Sequence, residues 1–565
     1  MQAQKIKSFL STTASAATLV TASRAAGNTG HAAPKQGYPG IVSLLKAALL
    51  AMVSALYATA SSAAWILDSA GTTLSNETWT LSVAAMTVGG EAGLKVTGWT
   101  AGTNDLDLSG TPKKVYDVSG AFASTGITSL KAPDTISYGA NVFKSCTALT
   151  NATLSAGVKT IGASAFSGCT ALTAVGPTEF PELSSLGNNA FDGSTLLEQD
   201  FSLPVLTALN HYVFRSTRAT SIIASNVTWT GDSACKFCAV LKRVVLSPDL
   251  TTLTVYSFYE CRELEELLPT NFVKCTKLDG NVFRDCNKLR GNFSFPGITA
   301  VQAHTFLRAG ITSFSGTNSL SVGDNTFGSC PNLTRVELSP AATKFDIYAF
   351  QYCGNLETLV PQTLTNLTTV NSRAFYECKK LRGDFSFPAL GTVGANAFRD
   401  TALNSINIPK CVTLNESCFR YCSQLTNAVV GATSFGVYCF ASCPSLSNLT
   451  VNAVGAVAFG AQAVQTTPPG LKIWYNCGTA PTSIGANALQ PADANRYATI
   501  VVKPDSDYAG WEALCARTKS AGTLTPADMA REDYPQKRVI GLIVNGSNRA
   551  WVVRGAALGT LLGLR

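Results

Sequence analysis

Apolar residues recur along most of this chain with a regular spacing. The clearest copy runs from Ala165 to Leu172, where Phe166, Cys169 and Leu172 are three residues apart. Fifteen of sixteen successive anchor positions are Phe, and the exception is Cys235. A period of about 20 to 50 residues is typical of a solenoid of stacked coils. The anchors are positions 122, 143, 166, 191, 214, 235, 258, 283, 306, 327, 350, 375, 398, 419, 440 and 459.

The anchor spacings contain a second, longer period. They run 21, 23, 25 and 23 residues, and this cycle of 92 residues occurs three times. The segment Phe201-Ser202-Leu203-Pro204 returns 92 residues later as Phe293-Ser294-Phe295-Pro296. We infer that a block of four coils was duplicated. Lengths within the cycle change by two residues, which keeps the inward and outward faces of a strand in phase.

Two apolar patches in each coil predict two short elements. The alternating run from Leu333 to Pro340 predicts a strand that ends at proline. The patch from Val158 to Phe166 predicts a shorter strand or 3₁₀ turn before the anchor. A single coil cannot bury its own Phe and Leu, but stacked coils can, and each buried Phe contributes about 1.5–3 kcal/mol. The sequence therefore predicts a mainly β solenoid.

The recurring pattern F-x-x-C-x-x-L-x-x-(I/V/L)-x-(I/L)-P resembles the BspA-type leucine-rich repeat of surface proteins. The resemblance covers about 120–460. It implies a leucine-rich-repeat solenoid of about 16 coils of 19–25 residues, capped at both ends, and it implies secretion with a role in adhesion or ligand binding. The departures from the pattern are Cys235 and the coils without Cys, which are anchored by Phe122, Phe191, Phe214, Phe306 and Phe398.

Composition along the chain predicts five segments. Residues 1–64 contain no Asp or Glu, and Lys46 precedes an apolar run and small residues. This favours a leader with a Sec-type signal peptide, although an acid-free leader also suits an organelle transit peptide. We expect the segments to be the leader at 1–64, an N-terminal β cap at 65–120, repeats at 121–460, degenerate coils with a C-terminal cap at 461–515, and a linker and tail at 516–565.

The end of the tail is apolar, but Arg549 and Arg554 interrupt it, so we predict no transmembrane span. It is either a small β addition or a sorting signal. The net charge of the chain is +8. Beyond the leader, 38 basic residues stand against 35 acidic ones, which gives no electrostatic case for nucleic acid binding.

Ten of the seventeen cysteines occupy the position three residues after an anchor. Thr125, Thr217, Ala309 and Thr401 occupy it in other coils, which indicates a requirement for a small buried side chain. We therefore predict free thiols. The ten cysteines are Cys146, Cys169, Cys238, Cys261, Cys286, Cys330, Cys353, Cys378, Cys422 and Cys443.

Some cysteines also resemble chemical motifs. Cys235 and Cys238 form a C-x-x-C, but Cys235 occupies an anchor position, so we interpret it as structural. Cys418 and Cys439 in adjacent coils could cross-link, or bind zinc together with Cys422 and Cys443; parallel columns do not converge tetrahedrally as zinc requires. We expect no metal and no cofactor.

The chain has three histidines and neither a catalytic triad nor a phosphate loop. We therefore predict a protein that is not an enzyme, with a site in the terminal segments as a remote alternative.

The positions just after the Leu of each coil should point outward from the predicted strand. Opposite charges there would attract one another across neighbouring coils, either as a surface ladder of little energy or as a polar binding face. We predict a secreted or cell-surface binding or adhesion module, whose partner is a protein or glycan on a host or neighbouring cell. The alternative is an architectural envelope protein. The candidate binding residues are Lys242, Arg243, Glu265, Glu266, Arg290, Arg335, Glu337, Glu357 and Arg382.

Overall fold

The computed structural model describes most of the chain between residues 64 and 554. The leader predicted at 1–64 lies outside this range except for its last residue, and so does the end of the tail, 555–565. The described residues are 64–554 without 103, 121, 467, 469, 494–495, 505–506, 519–523, 530, 532–534, 536–538 and 546–547.

The first strands form an antiparallel unit that leads into the solenoid. They are β1 (Ile66–Leu67), β2 (Thr73–Ser75), β3 (Thr80–Val88), β4 (Glu91–Ala101), β5 (Asp105–Asp107) and β6 (Val115–Val118). Strands β1 to β4 pair antiparallel in order, and β4 then pairs parallel with β6. The rings of Trp79 and Trp99 lie 5.9 and 6.1 Å from the ring of Phe122. These two indoles therefore cover the end of the first coil.

The coils themselves contribute short strands in two alternating positions. The strands up to residue 322 are β7 (Ser129–Ala132), β8 (Ser137–Tyr138), β9 (Asn151–Leu154), β10 (Thr160–Ile161), β11 (Ala174–Gly176), β12 (Ser185–Leu186), β13 (Asp200–Ser202), β14 (Ala208–Leu209), β15 (Ser221–Ile223), β16 (Trp229–Thr230), β17 (Arg243–Val245), β18 (Thr252–Leu253), β19 (Glu266–Leu268), β20 (Lys277–Leu278), β21 (Asn292–Ser294), β22 (Ser313–Gly316) and β23 (Ser321–Val322). The later ones are β24 (Arg335–Leu338), β25 (Lys344–Phe345), β26 (Thr358–Val360), β27 (Thr369–Val370), β28 (Asp384–Ser386), β29 (Thr392–Val393), β30 (Ser405–Ile408), β31 (Thr413–Leu414), β32 (Asn427–Val430), β33 (Ser434–Phe435), β34 (Asn448–Val451), β35 (Ala458–Phe459), β36 (Lys472–Tyr475) and β37 (Ser483–Ile484).

These strands build two parallel sheets along the solenoid. The strands of three or four residues that follow each anchor form the long sheet, and the two-residue strands that precede the anchors form the short sheet. Side chains alternate between core and solvent along each strand, as in β24, where Val336 and Leu338 are buried. The predicted mainly β leucine-rich-repeat solenoid is confirmed, with about 17 turns.

The period of 92 residues is visible as breaks in the long sheet. The sheet is interrupted between β11 and β13, between β19 and β21, and between β26 and β28. A single parallel bridge spans each break, and the three bridges are 92 residues apart. They join Glu179 to Ser202, Asn271 to Ser294, and Thr363 to Ser386. The four-coil block inferred from the sequence is thus a structural unit of the long sheet.

A third side of the solenoid consists of stacked turns around the anchors. The residues two before and two after an anchor have positive φ, for example Asn141 (58°) and Ser145 (59°) on either side of Phe143. This left-handed conformation reverses the chain direction within a few residues. The amide of Phe143 donates to the carbonyl of Ala165 in the next coil (2.8 Å). We call this surface, from two residues before to two after each anchor, the turn side.

The anchor rings stack over one another inside the solenoid, as the sequence predicted. Successive ring centroids lie 4.9–5.7 Å apart. Phe166, Phe258 and Phe350 are fully buried and belong to one hydrophobic cluster. Cys235 separates the rings of Phe214 and Phe258, so the stack consists of one run of five rings and one of nine.

One anchor assignment from the sequence is wrong. Phe459 lies in the short sheet, in β35, where it pairs with Phe435 at a ring distance of 4.6 Å. The anchor of that coil is Val464, since Gln462 and Thr466 have the positive φ (56° and 55°) that flanks the anchors on both sides from Phe143 onward. In this coil the aromatic side chain lies in the short sheet and not in the turn. The sequence assignment was based on the position of the Phe, and it therefore missed Val464 as the anchor.

A helix and a hairpin complete the far end of the solenoid. The elements are β38 (Ala498–Val502), α1 (Tyr508–Leu514), β39 (Arg517–Thr518), α2 (Pro526–Met529), β40 (Val539–Asn545) and β41 (Asn548–Arg554). Helix α1 begins after Asp507, whose side chain accepts from the amide of Gly510. Strand β41 pairs with β38 and with β40, so the hairpin extends the long sheet.

Buried Asn548 fastens this hairpin to the last coil. It accepts from the amide of Leu489 (2.7 Å) and donates to the carbonyl of Gly485 (2.9 Å). The five segment boundaries from the sequence stay predictions. Within the described residues, no helix has the length and apolar character needed to cross a membrane.

Candidate binding surfaces

The candidate residues from the sequence lie on or beside the outward face of the long sheet. Arg243 and Glu266 are register partners on β17 and β19, and Arg243 Nε lies 2.6 Å from Glu266 Oε2. Arg382 and Glu357 also pair between adjacent coils, at 3.2 Å. The expected attraction across the sheet is therefore present at these two pairs. Exposed ion pairs of this kind are typically worth about 0.2–1 kcal/mol.

The remaining candidates differ in their neighbours. Arg335 and Glu337 lie on one strand, β24, with an N–O distance of 3.6 Å. Lys242, Glu265 and Arg290 are exposed, and within the described residues they have no ion-pair partner. The long sheet thus carries both neutralised pairs and unpaired charges. The role of all nine residues in binding stays a prediction.

A shallow basic groove lies where the turns lead into the long sheet. Its volume is about 410 Å³. It contains two of the candidates, Glu357 and Arg382, together with four more polar side chains that the sequence did not single out as binding residues. The lining residues are Glu357, Lys379, Lys380, Arg382, Ala402, Asn404 and Gln424. Arg382 is paired with Glu357, and Lys379 with Glu377 and Asp400, so among the described residues Lys380 is the lining cation without an ion-pair partner.

The turn side carries aromatic and cationic side chains that the sequence analysis missed. Tyrosine occupies the position two before the anchor in four coils, and arginine or lysine lies over many of these rings. For example, the Arg215 guanidinium carbon is 4.6 Å from the ring centroid of Tyr212, and Lys236 Nζ is 4.6 Å from that of Tyr256. The sequence signal was the recurrence of Tyr212, Tyr256, Tyr348 and Tyr438 at one position of the period.

A comparison with known protein families identifies the repeat. The family described as BspA type leucine-rich repeat region matches the chain in overlapping segments, 118–198, 177–290, 268–366 and 343–462, which together cover more than half of it. The chain belongs to this family. The BspA-type repeat therefore accounts for both the anchor stack and the cysteine position.

Several solved structures that the chain resembles are bacterial leucine-rich-repeat proteins. One from Bacteroides ovatus is 21% identical, with 65% of this chain and 92% of that chain covered and a TM-score of 0.43. The pneumococcal vaccine antigen PcpA is 15% identical, with 73% and 98% covered and a TM-score of 0.27. A leucine-rich-repeat protein of T. pallidum is 22% identical, with 37% and 87% covered and a TM-score of 0.26. No curated protein matches the chain.

In the ten coils that have a cysteine three residues after the anchor, the thiol forms a hydrogen bond as well as filling space. It donates to the carbonyl of the anchor in the preceding coil, at 2.8–3.1 Å in all ten coils. In the coil anchored by Phe191, Ser194 makes the same bond to Phe166 at 2.7 Å. The position therefore favours a small side chain, and in most coils that side chain donates a hydrogen bond. Thr217 and Thr401 donate to the anchor of their own coil (2.8 Å), and Ala309 has no side-chain donor.

All seventeen cysteines are free, as the sequence predicted. Cys418 and Cys439 each direct their thiol at a backbone carbonyl, at 3.9 and 3.6 Å. Cys235 is fully buried in its anchor position. Among the described residues, no group of three or more His, Cys, Asp or Glu side chains is placed to hold a metal ion. The interpretation of the C-x-x-C as structural agrees with this burial.

We expect Cys353→Ala to destabilise the protein by about 1–3 kcal/mol, because it removes a buried thiol together with its hydrogen bond to the carbonyl of Phe327, which keeps the amide of Cys330 as its other donor (3.2 Å). Cys353→Ser keeps a donor and should cost about 1 kcal/mol or less. Urea unfolding followed by circular dichroism measures both. Equal losses for the two variants would show that volume alone, and not donation, governs this position.

Proposed function

We propose that this chain is an exported, non-enzymatic binding module of the BspA-type family that recognises a protein or glycan on a host or neighbouring cell. The observation that carries the proposal is the outward face of the long sheet. Its strands run parallel and in register from coil to coil, so they hold charged side chains at fixed intervals on an exposed surface. Such a face suits recognition by many small contacts.

The rigidity of the solenoid supports this role. The backbone of each coil is hydrogen-bonded to its neighbours in the sheets and in the turns, and the core beneath is fully buried. A surface that is already ordered loses little conformational entropy on binding. Weak individual contacts can then sum to a useful affinity.

The unpaired charges of the long sheet are the strongest candidates for specificity. Arg243 and Glu266 already satisfy one another, so a partner would have to break their ion pair to use either charge. Lys242, Glu265 and Arg290 impose no such cost. Charges at an interface contribute chiefly to orientation and to the rate of association. The proposal therefore assigns recognition first to these three residues.

The test is binding of the full-length chain to intact cells, measured as a saturation curve. We expect the triple variant K242A/E265A/R290A to weaken binding at least about tenfold through lost polar contacts. The matched control is K159A/E182A/K344A, which removes the same charges beside the short sheet and should bind like the original chain. A saturable curve that neither triple variant changes would contradict the assignment to this face.

A purely architectural role in the cell envelope is the second candidate. It is favoured by the ion pairs within the long sheet, since side chains that neutralise one another form a solvated surface without a ligand. Cell binding that never saturates, together with a cell-envelope location of the chain in fractionation, would support this role and reject recognition.

A further inference from the structure

The turns anchored by Phe350 to Phe440 present a row of alternating tyrosine and arginine side chains. Each of three guanidinium groups lies between two tyrosine rings, with carbon-to-centroid distances of 4.3–5.8 Å. We call these residues the Arg–Tyr row. Arg373 lies between Tyr348 and Tyr376, Arg399 between Tyr376 and Tyr421, and Arg420 between Tyr421 and Tyr438.

The rings hold the guanidinium groups by their faces and leave the edges for a ligand. A guanidinium carries its five N–H donors in its own plane, in a fork that matches carboxylate and sulfate oxygens. Stacking on aromatic rings uses the faces and not these donors. The Nε of Arg420 is buried without a hydrogen-bond partner, so the donors of this guanidinium that a ligand can reach are those of its terminal nitrogens. The guanidinium groups of the row are therefore held in fixed orientations mainly by tyrosine rings on their faces.

The nearby carboxylates do not neutralise this row. Among the described residues, Arg373, Arg399 and Arg420 form no ion pair. The acidic residues of the same turns, Glu377 and Asp400, lie 3.4 and 3.8 Å from the ammonium of Lys379. Lys379 also lines the basic groove, so its ion pairs connect the groove to the turns that carry the row.

An earlier block shows the neutralised form of the same position. Arg215 is equivalent to Arg399, two periods of 92 residues earlier. There Arg215 forms two hydrogen bonds of 2.7 Å with the carboxylate of Asp192. At this position Arg215 is therefore neutralised by a carboxylate of the protein. Arg399 instead donates to the side-chain oxygen of Asn396 (3.2 Å), which carries no charge. The difference marks the later coils as the charged part of the turn side.

We propose that the Arg–Tyr row and the adjoining groove bind an acidic polysaccharide, a linear glycan with carboxylate or sulfate groups at regular intervals. The equivalent residues Arg399 and Arg420 are one coil apart, and the anchor rings beneath them are separated by 5.3 Å. A surface that repeats by translation matches a ligand that repeats by translation. Each anionic group would accept from one guanidinium edge, and Lys380 of the groove would add charge.

Two other polyanions fit this surface less well. An extended acidic peptide presents side chains on one face about every 6.6 Å, which differs from the spacing of the coils. Single-stranded nucleic acid gains affinity by stacking bases on free aromatic faces. The rings of Tyr376 and Tyr421 are each contacted by two guanidinium groups already.

The test measures binding of the full-length chain to heparin, which is sulfated, and to polygalacturonate, which carries carboxylates; neutral dextran, polyglutamate and oligo-dT are the comparison ligands. We expect binding to at least one acidic polysaccharide and none to dextran. The affinity should fall as salt is raised, because bound counterions are released. The preference between the first two ligands identifies the anionic group.

The variant R373Q/R399Q/R420Q should lose at least about tenfold in this affinity, since charge-assisted hydrogen bonds are the strong ones. The control R215Q/R218Q/R262Q removes three ion-paired arginines and should change the affinity less than about twofold. If the first triple does not fold, as judged by circular dichroism, Arg399→Lys replaces it and should lose several-fold, because an ammonium lacks the planar fork.

The proposal is overturned if neither polysaccharide binds, if both triples weaken binding equally, or if polyglutamate or oligo-dT binds as tightly as the polysaccharides. The variant K242A/E265A/R290A should retain polysaccharide binding, because its residues lie on the long sheet. Failure of the function proposed for that sheet is thereby distinguished from failure of this site.

Discussion

Raising the pH above about 9 is expected to unfold this protein cooperatively. Burial raises the pKa of twelve thiols, to about 12 for Cys169 and about 11 for Cys275 and Cys411. The others are Cys261, Cys286, Cys330, Cys378, Cys418, Cys439, Cys443, Cys477 and Cys515. In the unfolded chain a thiol ionises near its ordinary pKa of about 8.5.

The sign of the effect follows from the protons bound in each state. Below about pH 8 the thiols are protonated in both states and contribute no pH dependence. Above that pH the unfolded chain loses protons that the folded chain keeps, so stability falls as pH rises toward the folded pKa values. Each thiol whose pKa is raised removes up to about 1.4 kcal/mol per pH unit. Burial acts to raise the pKa of Cys238 and Cys422 as well, but hydrogen bonds from neighbouring groups lower it overall, so these two offset part of the sum. Domains are stable by only about 5–15 kcal/mol, so the transition should fall near pH 10.

Circular dichroism and thiolate absorbance, recorded together against pH, measure this transition. We expect both signals to change at one midpoint. In a variant with Cys169, Cys286 and Cys330 changed to Ser, stability should fall less steeply with pH. Its slope should be smaller than that of the original chain by about 4 kcal/mol per pH unit. Thiolate absorbance that rises gradually near pH 9 while the native dichroism persists would contradict the burial of these groups.

The second large effect is expected from Phe350→Ala. The ring of Phe350 is fully buried and lies 5.2 Å from that of Phe327 and 4.9 Å from that of Phe375. Its removal leaves a cavity between two coils and should cost about 3–5 kcal/mol. The measurement is the free energy of unfolding in urea. Because each coil contacts only its neighbours, the loss should also loosen the stack locally.

Phe237→Ala is the matched control for this variant. Phe237 lies on the turn side and its exposed fraction is 41%. Its removal should cost about 1 kcal/mol or less, since an exposed side chain leaves no cavity. Hydrogen exchange should show faster exchange in the coils next to position 350 and not elsewhere. A loss at Phe350 no larger than that at Phe237 would show that the ring stack does not stabilise the solenoid.

The sequence predicted the solenoid well because one physical requirement repeats in it. Every coil must place a large apolar side chain over the previous one, so Phe166, Phe258 and Phe350 mark the core by spacing alone. The anchor of the last phenylalanine coil was misplaced for the same reason: Phe459 is aromatic, but Val464 lies in the turn. In that coil the backbone conformation identifies the anchor, whereas the presence of an aromatic residue does not.

Contacts between coils were harder to predict than positions within a coil. The thiol of Cys353 reaches a carbonyl 26 residues earlier, and a size requirement explained its residue type equally well. Likewise Arg399 contacts Tyr376 and Tyr421, each from a different place in the period. Such partners become visible only when coil lengths and turn geometry are known together. The pairing of Arg243 with Glu266 was predictable because both occupy one register position.

The breaks in the long sheet also bear on how proteins of this kind change length. Each break recurs after 92 residues with equivalent residues on both sides. Recombination between two such junctions would add or delete a whole block and recreate a contact that the chain already contains. A gene of this type can therefore lengthen or shorten its product in a single event, without a new core having to be selected.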